Sequence, residues 1–263
     1  MIVPRLTADV AKNLATIERM GADAVSSGAD LLLFPEAVLT GLINDDDPAH
    51  DIQLAQTVPG PATDRLGAFC LRHGCWLAFG MLEREGTRIY DSAVLLTPDG
   101  AIGLKYRRNQ PQWHGMNADP GVYCQGTDIE ATRTPFGTMA FLLCGDLFDD
   151  GIVSRFRHLA ADWLLFPFAR GSPHGQAHQA RWDAEELPEY AQRVAMARTP
   201  ALMVNYLVDA SLPDDDSFGG AFLISAKGQV LARHPLGVEG MLLVDMTQLH
   251  QDDVLRMSAS YRE

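Results

Sequence analysis

The chain has 263 residues, 47% of them hydrophobic and 21% charged, which suits a globular protein with a sizeable core and leaves room for one large domain or two small ones. Lys and Arg number 21 against 34 Asp and Glu, a formal net charge of −13; with no basic block, this argues against nucleic acid or an anionic membrane surface as a partner. No apolar run approaches the ~18 residues of a membrane helix. Asp9, Lys12, Glu18 and Asp30 interrupt any signal-peptide core, so a cytoplasmic protein is expected. The four cysteines, Cys70, Cys75, Cys124 and Cys144, are too few for a disulfide scaffold and lack zinc-ligand spacing; a single well-placed one can serve as a nucleophile.

From Asp9 to Ser27 the apolar positions Val10, Leu14, Ile17, Ala24 and Val25 recur near the 3.6 period, with Thr7 or Asp9 as cap and Gly28 as stop, which predicts a helix. The run Leu31-Leu32-Leu33-Phe34, ended by Pro35, predicts a strand buried on both faces. A second helix is expected from about Pro61 through Cys70, and a second buried strand from Trp76 to Leu82. Val94–Thr97 and Ala101–Leu104 flank Pro98-Asp99-Gly100, a hairpin signal. Met139–Leu143 predicts a further strand, and Gly151–Leu159 a helix. The aspartate runs at 45–47 and 214–216 are expected to be solvated loops.

The second half repeats the first. Gly28–Glu36 aligns with Ala160–Phe168 at an offset of 132 residues, with six of nine positions identical. Ala93–Leu96, with Gly100 behind it, aligns with Ala221–Ile224 and Gly228 at an offset of 128. Each sheet of such a pair needs cover on both faces. The expected fold is therefore α/β, a four-layer α-β-β-α sandwich of two pseudo-repeated halves, with residues 1–263 forming one domain.

Buried strands deliver functional side chains at their C-terminal ends. The first repeat delivers Glu36 where the second carries Phe168. Met139–Leu143 delivers Cys144, followed by Gly145 and a helix whose start favours a thiolate and supplies N–H donors. The strand after Gly100 ends in Lys105-Tyr106-Arg107-Arg108, a basic cluster that suits either a solvated face or the stabilisation of an oxyanion. His174-x3-His178 has the spacing of a metal pair but no acidic partner and poor helix context, so no metal is expected. The glycine-rich loops match no phosphate or dinucleotide fingerprint, so no cofactor is expected.

A Glu, a cation and a Cys in this order resemble the nitrilase superfamily, the carbon–nitrogen hydrolases. The resemblance rests on Gly28–Glu36, Gly100–Arg108 and Leu142–Asp146, with Asp9-x3-Asn13-Leu14, Glu189-Tyr190, Arg193, Asn205 and Leu243–Asp245 in support. It implies the four-layer fold, Glu36 as general base, Cys144 as nucleophile on an amide or nitrile carbon, and the backbone N–H after Cys144 with a cation as oxyanion donors. At the family's lysine position stands Arg108. Lys105 is the fallback, but an odd shift along a strand turns a side chain to the other face. Asp119, seven residues before Gly126, occupies the place of a second family carboxylate with a shorter reach. The family's first strand is curtailed to about Met1–Leu6. Cys144–Phe148 is similar to the Asp-Leu-aromatic pattern of the glutaminase branch. Trp113, His114, Gly145, Arg170 and Trp182 are candidates for the substrate pocket. The expected partner is a small amide, nitrile or carbamoyl substrate, and a homo-oligomer, dimer or higher, is implied. The alternative is a nitrilase-fold binding or scaffold protein whose site lost its lysine.

Overall fold

A computed structural model describes residues 1–42, 46–172, 179–212 and 215–246; Asp45, His174, His178 and Asp214 lie outside the described residues. The chain opens with β1 (Ile2–Val3) and β2 (Arg5–Leu6). Helix α1 (Val10–Ser26) begins at Asp9, whose carboxylate accepts from the Ala11 and Lys12 amides at 2.9 and 3.2 Å, satisfying N–H groups that have no partner inside the helix. Then come β3 (Leu31–Leu33), α2 (Pro48–Leu54), α3 (Pro61–His73), β4 (Trp76–Glu85), β5 (Arg88–Leu96), β6 (Ile102–Arg107) and β7 (Tyr123–Cys124). The first sheet has the order β3-β4-β5-β6, with β3–β4 parallel and the other two pairs antiparallel; β7 pairs with β5 beyond this path.

The second half supplies β8 (Ala131–Thr134), β9 (Gly137–Phe141), α4 (Asp150–Arg157), β10 (Trp163–Pro167), α5 (Leu187–Ala197), β11 (Ala201–Val204), β12 (Leu207–Val208), β13 (Ala221–Ile224), β14 (Val230–His234) and β15 (Gly240–Met241). Its sheet runs β14-β13-β11-β10-β9-β8. Within it, β10-β11-β13-β14 repeats β3-β4-β5-β6 in order and in direction, parallel, antiparallel, antiparallel. The aligned segments of the sequence are therefore equivalent strands.

Alternation along the strands sets the layers. In β4 and β5, Ala78, Ala93 and Leu95 join a cluster with Phe141, Leu165 and Met203 of the second sheet. Their neighbours Leu77, Phe79, Val94 and Leu96 pack instead with Ile17 of α1 and Leu66 and Phe69 of α3. Side chains two apart share a face, so each strand serves both layers. The second sheet is covered in turn by Ile152 and Phe156 of α4 and Val194 of α5. The result is the four-layer α-β-β-α sandwich.

Three features go beyond the sequence reading. The curtailed first strand is broken in two around Pro4, which has no N–H for a ladder. β1 pairs antiparallel with β15 and β2 parallel with β12, both second-half segments. Within the aspartate runs, Asp47 caps α2 by accepting from the Ala49 amide at 2.9 Å, and Asp215 accepts from the Tyr206 hydroxyl at 2.6 Å. A π-helical turn, Trp182–Glu186, leads into α5. Among the described residues, no helix is long and apolar enough to cross a membrane.

Candidate active site

Glu36 lies just past the end of β3. The chain continues beside β4 there, with Gly80 N–H donating to Pro35 O at 2.9 Å and Val38 N–H to Gly80 O at 3.0 Å. A Cβ on residue 80 would stand 2.5 Å from Glu36 Cα and 2.8 Å from Ala37 N, so glycine permits this approach. Glu36 is completely buried. Asn13 ties the following loop to α1, its side-chain amide donating to Leu39 O at 3.0 Å and Thr7 O at 2.8 Å.

The register of β6 separates the two cations. Lys105 and Arg107 share one face, where Lys105 Nζ lies 2.8 Å from Glu83 Oε1 and Arg107 Nη2 2.6 Å from the same oxygen. Tyr106 and Arg108 share the other. The Arg108 amide donates to Asp91 O at 2.8 Å, and its buried guanidinium places Nη1 3.1 Å from Glu36 Oε1 and 3.4 Å from Asp91 Oδ2. Nη2 donates to Gln110 Oε1 at 2.8 Å. Arg108 therefore meets Glu36, while Lys105 belongs to the Glu83 cluster.

Cys144 opens the short 3-10 turn Cys144–Phe148 directly after Leu143. Its φ of 41° is a left-handed conformation, a strain on the order of 1–3 kcal/mol for a side chain other than glycine. Asp146 over-determines this turn: Oδ1 accepts from the Asn109 and Gln110 amides at 3.0 and 2.8 Å, and Oδ2 from Leu143 N–H at 3.0 Å and the Tyr106 hydroxyl at 2.6 Å. The segment after Arg108 is thus fastened to the segment around Cys144. Arg193 of α5 fastens the far end, donating to Leu147 O at 2.7 Å and pairing with Asp150 at 2.7 Å. Cys144 Sγ lies 3.5 Å from Ala169 O, past the end of β10; the next residue, Arg170, is held by Asn205, whose Nδ2 donates to its carbonyl at 2.8 Å.

Burial dominates the electrostatics of this cluster. It pushes the Glu36 carboxyl up to about 8, aided by nearby Cys144 and opposed by Asp91 and Arg108. Burial and the adjacent Glu36 push Asp91 well above the usual carboxylate range. Burial works against the charge on Arg108, but Cys144, Glu36, Asp91 and Asp146 outweigh it and the guanidinium stays protonated. Asp91 is absent from the motifs of the sequence reading. Its signal was a lone carboxylate on the face of β5 that also carries Ala93 and Leu95, where an unpaired charge is costly.

A family model described as carbon-nitrogen hydrolase matches residues 3–252. The chain belongs to the carbon–nitrogen hydrolase family. Among curated relatives of this chain, nitrilase 3 of Arabidopsis thaliana is 24% identical, over 90% of this chain and 75% of that protein. The aliphatic nitrilase of Sinorhizobium fredii is 29% identical over 49% of this chain and 47% of its own length. A carbon-nitrogen hydrolase from Helicobacter pylori superposes with a TM-score of 0.80 at 17% identity, covering 100% of this chain and 92% of that one. A nitrilase-superfamily amidase from Nesterenkonia, in a cysteine-to-alanine mutant, does so with a TM-score of 0.74 at 19% identity, covering 96% and 94%.

The other sequence candidates in this carbon–nitrogen hydrolase chain separate by contact. Gly145 packs against Arg108 Nη2 and Gln110 Oε1. Arg170 lies at the rim, half exposed, paired with Glu186 at 2.8 Å and near enough to Cys144 and Tyr190 for each to favour its charge. Trp182 packs against Phe168 and Tyr190, with ring centroids 6.3 and 5.3 Å away. Cys144 is near enough to Tyr190 to join burial in raising its hydroxyl. Trp113 is buried in a separate cluster with Ala55, Leu82 and Tyr123. His114 packs edge-on against Trp113 and meets Gln125 at 3.3 Å. Asp119 is exposed and accepts from the Gly121 amide at 2.8 Å, closing a turn before β7. Lys105 is paired with Glu83, Asp119 with the Gly121 amide, and His114 with Trp113 and Gln125; the buried second carboxylate that shares Arg108 with Glu36 is Asp91.

Proposed function

We propose that this chain hydrolyses a non-peptide C–N bond, an amide most directly, through an acyl thioester on Cys144. The observation that carries the reading is the burial of Glu36 and Arg108 in contact at 3.1 Å, with Cys144 near enough to act on the charge of both. A carboxylate beside a thiol takes its proton, and the thiolate attacks the carbonyl carbon. As the S–C bond forms, negative charge gathers on the substrate oxygen, where the Gly145 N–H and the Arg108 guanidinium are the fixed donors. The C–N bond then breaks and Glu36 passes its proton to the departing ammonia or amine. Water, deprotonated by Glu36, attacks the thioester; the S–C bond breaks and the thiol regains its proton.

Support also comes from the similarity to the Nesterenkonia amidase, of which a Glu-to-Gln mutant carries acrylamide added at its active-site cysteine. Two measurements test the reading. Iodoacetamide followed by mass spectrometry is expected to label Cys144 well ahead of Cys70, Cys75 and Cys124, and to lose that advantage in Glu36→Gln. A screen of amides, nitriles, carbamoyl amino acids and glutamine with ammonia detection is expected to find turnover that Cys144→Ala abolishes. Slow, equal labelling of all four cysteines together with an empty screen would favour a binding protein built on the same fold, in which Arg108 is retained as the counter-ion of Glu36.

A further inference from the structure

Two buried carboxylates, Glu36 and Asp91, meet one guanidinium. Glu36 Oε1 and Asp91 Oδ2 both address Arg108 Nη1, at 3.1 and 3.4 Å. Their other oxygens, Glu36 Oε2 and Asp91 Oδ1, are buried and make no well-formed hydrogen bond among the described residues, with the Ala169 N–H the one backbone group near enough to favour the Glu36 charge. Both side chains have no exposed surface. Asp146, the third carboxylate nearby, differs: its oxygens take three backbone amides and the Tyr106 hydroxyl. Two anions against one cation would leave a buried net charge and two orphaned acceptors, each a costly state.

We propose that Asp91 is held as the neutral acid and donates its proton to the Glu36 carboxylate, so that the two carboxylates carry one negative charge against Arg108. Asp91 is then a positioning residue: it fixes the orientation of Glu36 toward Cys144 and touches no substrate. The charge count supports this. Before proton transfer the Glu36, Asp91, Arg108 and Cys144 side chains hold one carboxylate, one acid, one guanidinium and one thiol, net zero among these four, while the Asp146 carboxylate is met by its own four donors. When the Cys144 S–H bond breaks and an O–H bond forms on Glu36, the four hold a thiolate, two acids and the guanidinium, again net zero. The groups facing the pair are Arg108 behind β6, Cys144 and Asp146 on the turn and Tyr190 on α5. Arg108 is the only cation among them. The placement of both carboxyls on the same Arg108 nitrogen and the upward displacement of both agree with a proton between them.

The inference rests on Glu36 being the base of the proposed reaction, and it is tested by a signal that needs no turnover. Infrared difference spectra of the intact protein at about pH 9, where ordinary carboxyls are ionised, are expected to show a protonated-carboxyl band. That band disappears in Asp91→Asn and in Glu36→Gln, because either change leaves one carboxylate for one guanidinium. The pH profile of Cys144 alkylation supplies the second readout. Asp91→Leu, which offers no donor, is expected to move the acid limb upward and slow labelling about tenfold or more; Asp91→Asn, with a fixed N–H donor, is expected to restore most of both. Absence of the band in the wild-type protein, or an acid limb that falls by a unit or more in Asp91→Asn as removal of an anion would cause, overturns the proposal. A band in a protein whose four cysteines label slowly and equally and whose substrate screen is empty would leave Asp91 assigned and the hydrolase reading refuted.

Discussion

At the scale of single residues, Arg108 carries the heaviest demand. It lies against both Glu36 and Asp91 as the cation for their shared charge and, in the proposed reaction, is a donor to the developing oxyanion. A guanidinium cannot release its proton, so its part is electrostatic. Arg108→Ala is expected to lower kcat by about 10²–10³, and also to destabilise the protein by roughly 3–5 kcal/mol, because it strands buried carboxylates. Arg108→Lys keeps the charge and separates the two effects: urea unfolding measures the stability, and steady-state kinetics on the folded variant measures the rest. Lys105→Ala, which removes only a contact to Glu83, is expected to leave kcat within about twofold. The reverse ranking would show that the β6 register does not place the working cation. The pH dependence follows from Glu36. Its ionised form takes the thiol proton and its pKa is raised to about 8, so alkylation of Cys144 should fall about tenfold per pH unit well below that value and level off above it. A profile flat from pH 6 to 9 would exclude Glu36 as the base. The parity of positions along β6 was legible in the sequence, which is why Arg108 stood ahead of Lys105. Asp91 was not, because a single acidic residue in Arg88–Leu96 carries no motif and its partners lie elsewhere in the chain.

At the scale of elements, the site depends on how closely backbones approach and how tightly turns are pinned. Gly80 of β4 lies against the backbone of Pro35–Ala37. Gly80→Ala therefore pushes Glu36 away from Arg108, with an expected loss of about 1–3 kcal/mol from overpacking and slower Cys144 labelling than the stability loss alone explains. Normal labelling in a folded Gly80→Ala protein would mean that Glu36 tolerates the shift. Asp146 is the converse case. An amide nitrogen in place of one carboxylate oxygen cannot accept the bonds it receives, so Asp146→Asn should cost about 1–3 kcal/mol and loosen the turn that presents Cys144. Unchanged thermal stability would contradict its pinning role. Elements with strong periodicity and caps were legible: α1 from Asp9, α3 from Pro61, the hairpin around Pro98-Asp99-Gly100. Helix α2 was not, because seven residues give too short a pattern and its cap, Asp47, sits in a run that resembles a solvated loop. The pairings of β1 and β2 were hidden too, since two-residue strands carry no period and their partners are more than two hundred residues away.

At the scale of the whole molecule, the repeated offsets of 132 and 128 residues correspond to a shared strand order, but the two halves are used unequally. The end of β3 carries Glu36 where the equivalent end of β10 carries Phe168, and Cys144 follows β9, a strand paired parallel to β10 on the side away from β11. The site therefore forms only when both sheets are stacked, since Glu36, Asp91 and Arg108 belong to the first and Cys144 to the second. The same stacking joins Leu33, Ala78, Ala93 and Leu95 to Phe141, Leu165 and Met203 in one apolar cluster, and β1 and β2 cross to second-half partners. Neither sheet keeps its inner face covered if the other unfolds, so the two halves are expected to unfold together. In urea, the circular dichroism of the backbone and the fluorescence of Trp76, on the first sheet, and Trp163, on the second, each read in a variant whose other three tryptophans are replaced by Phe, should give coincident transitions. Cys144 alkylation should lose its selectivity over Cys70 and Cys75 at the same midpoint. Separate transitions for the two tryptophans would mean that each half is stable alone; loss of Cys144 selectivity before either would locate the weak point in the site rather than in the interface of the sheets.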